Sequence, residues 1–279
     1  MSLLSTDYYS VAIAPASISL LHVGRGWKRR VLDKKILPAT SGEELAVLGH
    51  LLAEAKPGRR LNIVLSNHYM RYKLLAVPAN GLSEQEMQST LDIAFRETYG
   101  EIADSWDKRF SDALTLNTSG EGDAVACAMD RSMLAAIKAL SQKRHLKLHS
   151  LQPSLMAGFN RLHAVINPLP CCFVQVESGR LLIGLIRNRQ WQSLRSISLA
   201  ANLQPYELVS QLRSHLGREF LLAGWNAKDT AIYVDALPRL NLTALAADAG
   251  WQFKRVESVA IDGILPEQDA DFYMALGAL

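Results

Sequence analysis

Residues 8–36 and 172–199 carry the same plan, and this duplication limits the fold more than any other feature of the chain. From Tyr8 to Ile36 the hydrophobic pattern predicts a strand, a turn at Pro15-Ala16-Ser17, a second strand, a Gly24-Arg25-Gly26 turn and a third strand ended by Pro38. From Cys172 the pattern begins again. A strand over Cys172–Val176, a Glu177-Ser178-Gly179 turn, a strand over Arg180–Ile186, a polar turn Arg187–Gln190 and a third strand from Trp191 to Leu199 are expected. Each copy has a basic turn followed by Trp, at Trp27 and Trp191, and then a stretch ending near an Ile, at Ile36 and Ile197, an offset of roughly 160 residues. Two antiparallel meanders, each followed by alternating strands and helices, predict an α/β chain of two related lobes. At 279 residues the chain is long enough for both.

Between the meanders, Ser41 to Ala55 places Leu45, Leu48, Leu51 and Leu52 at helical spacing behind Glu43 and Glu44, with Ser41 as the expected N-cap. Leu61–Leu65 and Tyr72–Val77 are expected strands around the polar Ser66-Asn67-His68. Ser83 with Glu86 three residues later forms a capping box that opens a helix to Tyr99, where Gly100 stops it. A strand over 105–116, a polar turn over 117–123 and a strand over 124–129 follow, so a small inserted subdomain is expected around 83–123. A helix from Ser132 to Lys143, a strand over Leu146–Leu151 and a helical segment from Pro153 to Ala164 complete the first lobe. Pro168 and Pro170 break any element, which sets the expected lobes at 1–167 and 168–279. The second lobe continues with a helix over Gln204–Leu216, a strand over Thr230–Val234, a short helix over 242–250, a strand over Gln252–Val256 and a helix-like tail from Asp271.

Hydrophobic residues make up 49% of the chain and charged ones 20%, a balance that excludes extensive disorder. The apolar runs fall far short of the ~18 residues of a membrane span, and no basic-then-apolar leader opens the chain, so a soluble, unexported protein is expected. Cys127, Cys171 and Cys172 cannot form a disulfide framework, and a reducing cytoplasm suits them. The adjacent pair precedes a buried strand and is expected to pack as small hydrophobes. Net charge is +3, from 30 basic and 27 acidic residues, too even to call for nucleic acid. Charge concentrates locally at Arg25, Lys28, Arg29 and Arg30 around Trp27, which is either a basic surface for a base or an anionic lipid, or a solvated hairpin tip.

Other constellations carry little chemistry. Ser66-Asn67-His68 lacks the glycines of a nucleophile elbow. His145 and His149 are four apart, but Leu146-Lys147-Leu148 alternates as a strand does and no third ligand is evident. Of the five tryptophans, Trp27 and Trp191 are expected to be the exposed ones.

Two lobes that each open on a three-stranded meander resemble the actin, sugar kinase and Hsp70 superfamily, the two-lobe, ribonuclease H-like α/β fold that holds ATP between its lobes. In that superfamily the first turn carries an Asp that organises Mg²⁺, then Gly whose amides approach phosphate. Here Ala14 stands at the Asp position and Ala16 at the Gly position, with Pro15, which has no N–H, between them. The second lobe's matching turn holds Gln175 for the Asp and Glu177 for the Gly. The nucleoside segment, an apolar strand followed by Gly in the family, continues here as Asp235 and Ala236 with no Gly. The resemblance therefore implies a chain that does not hydrolyse ATP and has no resident cofactor, with weak holding of ATP and Mg²⁺ by cleft cations left open.

Within that superfamily the chain resembles the PilM-type proteins of type IV pilus assembly, the cytoplasmic part of the GspL-type proteins of type II secretion, and the related MshI-type proteins. The resemblance rests on Ile63 to Tyr72, Leu75, Pro78 and the Ser83-x-x-Glu86 helix start. It continues through Phe95, Tyr99-Gly100, Trp106, Leu151-Gln152-Pro153, Asn160, Glu177-x-Gly179-Arg180-Leu181 and the terminal Tyr273-Met274-Ala275-Leu276-Gly277-Ala278-Leu279. It implies a catalytically inactive cytoplasmic scaffold, peripheral to the inner membrane. Its partners would be a pilus or secretion inner-membrane protein, taken as a short peptide in a groove, and an assembly ATPase. Contact with the membrane would be indirect, and nucleic acid is not expected. GspL-type chains continue into a membrane span, so this one is expected either to rely on a partner for attachment or to have been cut before such a span. The alternative is an actin-like ATPase or kinase with displaced catalytic acids, Glu177 or Asp235.

Overall fold

The computed structural model describes residues 7–25, 28–77, 82–110, 122–163, 170–188, 190–200, 202–236, 240–242, 250–257, 260–265 and 267–279. Two five-stranded sheets have the same order. In the first, β1 (Tyr8–Ile13), β2 (Ser17–Arg25) and β3 (Arg29–Pro38) form the antiparallel meander, and β4 (Arg60–Leu65) and β8 (Lys147–Pro153) extend it in parallel as β3-β2-β1-β4-β8. In the second, β9 (Cys171–Glu177), β10 (Arg180–Arg187) and β11 (Gln190–Ser198) repeat the meander, and β12 (Ala231–Ala236) and β13 (Gln252–Arg255) extend it as β11-β10-β9-β12-β13. The duplication expected from the two meanders thus reaches the parallel strands as well.

Helices α1 (Glu44–Leu51) and α3 (Arg131–Lys143) cover one face of the first sheet, enclosing Val11, Ile13, Leu48, Ile63 and Ile137. The other face, with Tyr8, Ala12, Leu21 and Val23, is covered by Ile261, Phe272, Ala275 and Leu276. The C-terminal segment therefore packs on the first lobe, which corrects its assignment to a second lobe running to residue 279. The apolar face of β1 and β2 needs a cover, and this segment supplies it. In the second lobe, α5 (Pro205–Ala223) closes one face over Leu212, Leu216 and Phe220, while α4 (Ser154–His163) sits between the lobes with Phe159 packed on Phe173 and Trp191.

A third sheet, β5-β7-β6, joins β5 (Arg71–Val77), β6 (Trp106–Phe110) and β7 (Gly122–Asp130), with α2 (Glu84–Tyr99) upon it. The inserted subdomain is therefore wider than 83–123, because β5 and β7 pair from Arg71 opposite Ala128. The Ser83 and Glu86 capping box forms as expected, and Gly100 ends α2 at φ 73°. The expected strand is described as far as Phe110; the rest of it, the turn at 117–123 in large part, the 168–170 break in part and most of the 242–250 helix lie outside the described residues.

Three local expectations change. Ser41 lies in a turn and α1 starts at Glu44 behind Glu43, with no side-chain cap. Helix α5 runs on past Leu216 to Ala223 and ends on Gly224 in the left-handed region. Trp191 is not exposed, retaining only 2% of its accessible surface, and Trp27 lies outside the described residues. The facing strand carries Gly184, where a Cβ would stand 2.2 Å from the indole, so the missing side chain makes the space that the ring fills. The adjacent Cys171 and Cys172 are buried on opposite faces of β9, as alternation requires, and act as small apolar groups.

Candidate functional site

Both meanders and the ends of β4 and β12 converge on a cleft of about 550 Å³ between the lobes. Strand β4 ends at Leu65, and the chain turns sharply through Ser66-Asn67-His68, with the Ser66 hydroxyl accepting from the His68 amide at 3.3 Å. This turn points at the β9–β10 hairpin of the second lobe. The Ser66 hydroxyl donates to Glu177, and the Asn67 amide N–H donates to Glu177 Oε2 at 3.1 Å. The Asn67 side chain donates to Glu177 Oε1 and to Gln175 Oε1, each at 2.6 Å. Its oxygen accepts from the Tyr72 hydroxyl at 2.5 Å and the Leu155 amide at 3.2 Å. Asn67 is fully buried, and these partners satisfy the polar atoms of its side chain.

The network continues into the second lobe. Gln175 Nε2 donates to Ser154 O at 2.9 Å and to Asp235 Oδ2 at 2.7 Å. Asp235 Oδ1 accepts from Arg161 Nη2 at 2.7 Å and from the Tyr273 hydroxyl at 2.5 Å. Gly158 on α4 is the point of closest approach, since a Cβ there would lie 2.0 Å from Asp235 Oδ2 and 2.8 Å from Gln175 Nε2. At the hairpin itself, His68 Nε2 donates to Ser178 O at 2.7 Å, and Gly179, at φ +73°, lies against the imidazole.

Burial pushes the Glu177 carboxyl above its ordinary value, against the opposing pull of hydrogen bonds from Ser66, Ser154 and Asn67. Burial also lowers the His68 pKa and raises that of the Tyr273 phenol.

Of the positions singled out in the sequence, Ala14, Ala16, Gln175, Glu177 and Asp235 all line this cleft. Ala236 does not; it is buried in the α5 core and lines a separate apolar recess with Val209 and Leu240. Lys28, Arg29 and Arg30 are exposed at the opposite end of β2 and β3 from the cleft. Ser66, Asn67, Gly158, Arg161 and Tyr273 were not foreseen as site residues. The available signal was a polar pair following the apolar strand Leu61–Leu65, and it does not reveal a partner 110 residues away.

The donor set does not match Mg²⁺ and a triphosphate. The Ala14 N–H is already given to Ser17 O at 3.1 Å, and Pro15 has none to give. Glu177, Asp235 and Asp271 present carboxylates to the cleft, and the Arg161 guanidinium is paired with Asp235. Among the described residues no three metal-ligating side chains form a group that could hold an ion.

A second concavity, about 520 Å³, lies between the first lobe and the subdomain. Its lining includes Leu65, Met70, Met129 and Met156, together with Lys138 and an ion pair between Arg109 and Asp107 at 3.2 Å.

No protein-family model matches the chain, and no curated protein matches it in sequence. Solved structures do. One is that of the PilM–PilN type IV pilus biogenesis complex, at TM-score 0.70 and 18% identity over 97% of each chain. A protein of unknown function with an actin-like ATPase fold from Bacteroides thetaiotaomicron matches at TM-score 0.60 and 11% identity, over 90% of this chain and 91% of that one. The cytoplasmic domain of EpsL, an inner membrane component of the type II secretion system of Vibrio cholerae, matches at TM-score 0.57 and 13% identity, over 97% and 92%. The chain has the actin-like two-lobe fold expected from its duplication, and the resemblance drawn from scattered residues to pilus and type II secretion proteins is met by structures of that kind.

Proposed function

We propose that this chain is a non-catalytic actin-like scaffold on the cytoplasmic side of a bacterial inner membrane, serving a type IV pilus or type II secretion machine. The observation that carries the reading is the clasp between lobes: Ser66 and Asn67 grip Glu177, and Asp235 grips Arg161, where the fold elsewhere leaves amides and a metal-ordering acid free for phosphate. Support comes from two structures that share the fold over nearly the whole chain, a pilus biogenesis complex and an inner membrane secretion component. No helix among the described residues is long and apolar enough to cross a membrane.

In this reading the groove of Leu65, Met70, Met129 and Met156 takes a short segment of the inner-membrane partner. Methionines adapt their shape to an inserted apolar side chain, and the exposed Lys138 suits an acidic flank. An assembly ATPase docks elsewhere on the lobes. Calorimetry with Mg-ATP followed by a phosphate-release assay tests the reading, and neither heat nor phosphate is expected. Turnover that Glu177→Gln abolishes would sink it and favour an ATPase or kinase with displaced acids. Lys138→Glu, at an exposed position on the groove, is expected to weaken binding of the partner's cytoplasmic peptide while leaving the fold intact.

A further inference from the structure

Three segments distant in sequence meet at one end of the first sheet, and none contains an acidic residue: Lys28-Arg29-Arg30, Lys56 to Arg60, and Lys143 to His149. The topology brings them together. Strands β4 and β8 run parallel to β1 and start beside it, Tyr8 pairing with Arg60 and Arg60 with Lys147, while β2 runs antiparallel and ends where β1 begins. Two of the loops are tied directly, Gly58 N–H to His145 O at 2.7 Å and Lys147 N–H to Arg59 O at 2.8 Å.

Lys28, Arg29, Arg30, Lys56, Arg60 and Lys147 are exposed there. Asp7, which borders this end, is already neutralised by Arg59 at 2.7 Å and His22 at 2.6 Å, and Asp262 sits beside Arg30. Nine of the chain's 30 Lys and Arg thus lie in three segments that carry no acid. Within it Arg29, Arg60 and His149 line a polar recess of about 220 Å³ together with Asn62 and Ser150. Arg29 also donates to Leu279 O at 2.7 Å, which holds its guanidinium at the recess.

We infer that this end of the first lobe docks directly on an anionic phospholipid surface, and that the recess of Arg29, Arg60 and His149 receives a headgroup phosphate. Arg and Lys bind phosphate oxygens, and basic side chains near an anionic bilayer attract it additively. The shape favours a membrane over nucleic acid. The charges sit on the ends of neighbouring strands, about 4.8 Å apart, and so form a broad rim. The cleft and the apolar groove lie at the other end of the same strands, at Ala14, Leu65 and Pro153, so a lipid-bound lobe keeps both open to partners. Membrane contact is then direct and does not pass only through a partner. The inference draws on the proposed inner-membrane location only for the choice of lipid.

Flotation of the whole chain with vesicles tests it. Binding is expected to phosphatidylcholine vesicles containing phosphatidylglycerol, not to phosphatidylcholine alone, and to fall steeply with added salt. The triple variant Lys28→Gln/Arg60→Gln/Lys147→Gln should lower partitioning about a hundredfold, whereas Arg218→Gln on α5 should leave it unchanged. Absence of binding to anionic vesicles, equal binding to neutral ones, or equal loss with Arg218→Gln would overturn the inference, as would tighter binding to duplex DNA than to anionic vesicles. ATP turnover, which would overturn the scaffold reading, leaves these outcomes untouched.

Discussion

Asn67 and Glu177, one from each lobe, are joined by three hydrogen bonds, the main-chain N–H to Oε2 at 3.1 Å and to Oε1 at 3.3 Å, and Nδ2 to Oε1 at 2.6 Å. Each residue is the centre of further bonds, so the pair acts as a clasp. Buried polar groups with every partner in place add stability and define one arrangement of the lobes, but losing any one partner leaves several groups stranded.

Replacing Asn67 by Ala removes the donor to Gln175 Oε1, the acceptor of the Tyr72 hydroxyl and the Leu155 amide, and one of the bonds to Glu177, which keeps those from Ser66 and the main chain. A loss of about 3 kcal/mol is expected, read as a lower urea midpoint. A variant as stable as the parent would show that the lobes do not depend on this clasp.

The Glu177 carboxyl has a folded pKa raised above 4.5 by burial. The folded chain therefore holds a proton that the unfolded chain has released, so Glu177 contributes stability below pH 4.5 that is lost as pH rises through the folded value. Asp92 has the opposite sign. Its hydrogen bond from the buried Lys108 lowers the carboxyl below 3.8, so its contribution is present above that pH and lost as pH falls through the folded pKa. Urea titrations of Glu177→Gln against the parent isolate the first effect. The difference between them should shift in favour of the variant as pH rises above 4.5, and a constant difference would contradict it.

Gly158→Ala reverses the usual rule for helices. Ala normally stabilises a helix interior over Gly by about 1 kcal/mol, but here the new methyl would meet Asp235 and Gln175. Destabilisation of about 2 kcal/mol is expected, visible as a lower melting temperature. A rise in melting temperature would show that α4 can move away from β12 without cost.

Gly184→Ala should displace the Trp191 indole and cost about 2 kcal/mol. Combined with Trp191→Leu, which removes the obstructing ring, most of that cost should vanish. Double-mutant thermal melts measure this coupling, and strict additivity would refute the contact.

Much of the fold was legible because its signals are local. The alternation in Val11–Ile13 and Ile18–Val23, the Ser83 and Glu86 box, and Gly100 each act within a few residues, and each appears in the structure where the sequence places it. Ser41 misled because a turn at Ser41–Glu43 competes with the cap, and Thr40 with Glu43 holds that turn by a side-chain bond. Trp191 misled because its burial depends on α4, whose Phe159 packs on the indole from a distant part of the sequence, as well as on the space left at Gly184 in the neighbouring strand.

The sequence by itself determined the duplicated meanders, the start and stop of α2 and α3, and the loss of Asp and Gly at Ala14, Ala16, Gln175 and Glu177. These are one-dimensional facts, set by side-chain periodicity and by which residue stands at a position. Only the tertiary structure decided that Ser66 and Asn67 fasten the lobes, that Ile261 and residues 272–276 return to the first sheet, and that 28–30, 56–60 and 143–149 form one basic end. The reason is that strand order joins segments far apart in the chain, so the partner of a polar or charged side chain is fixed by pairing across the sheet and not by its neighbours in sequence.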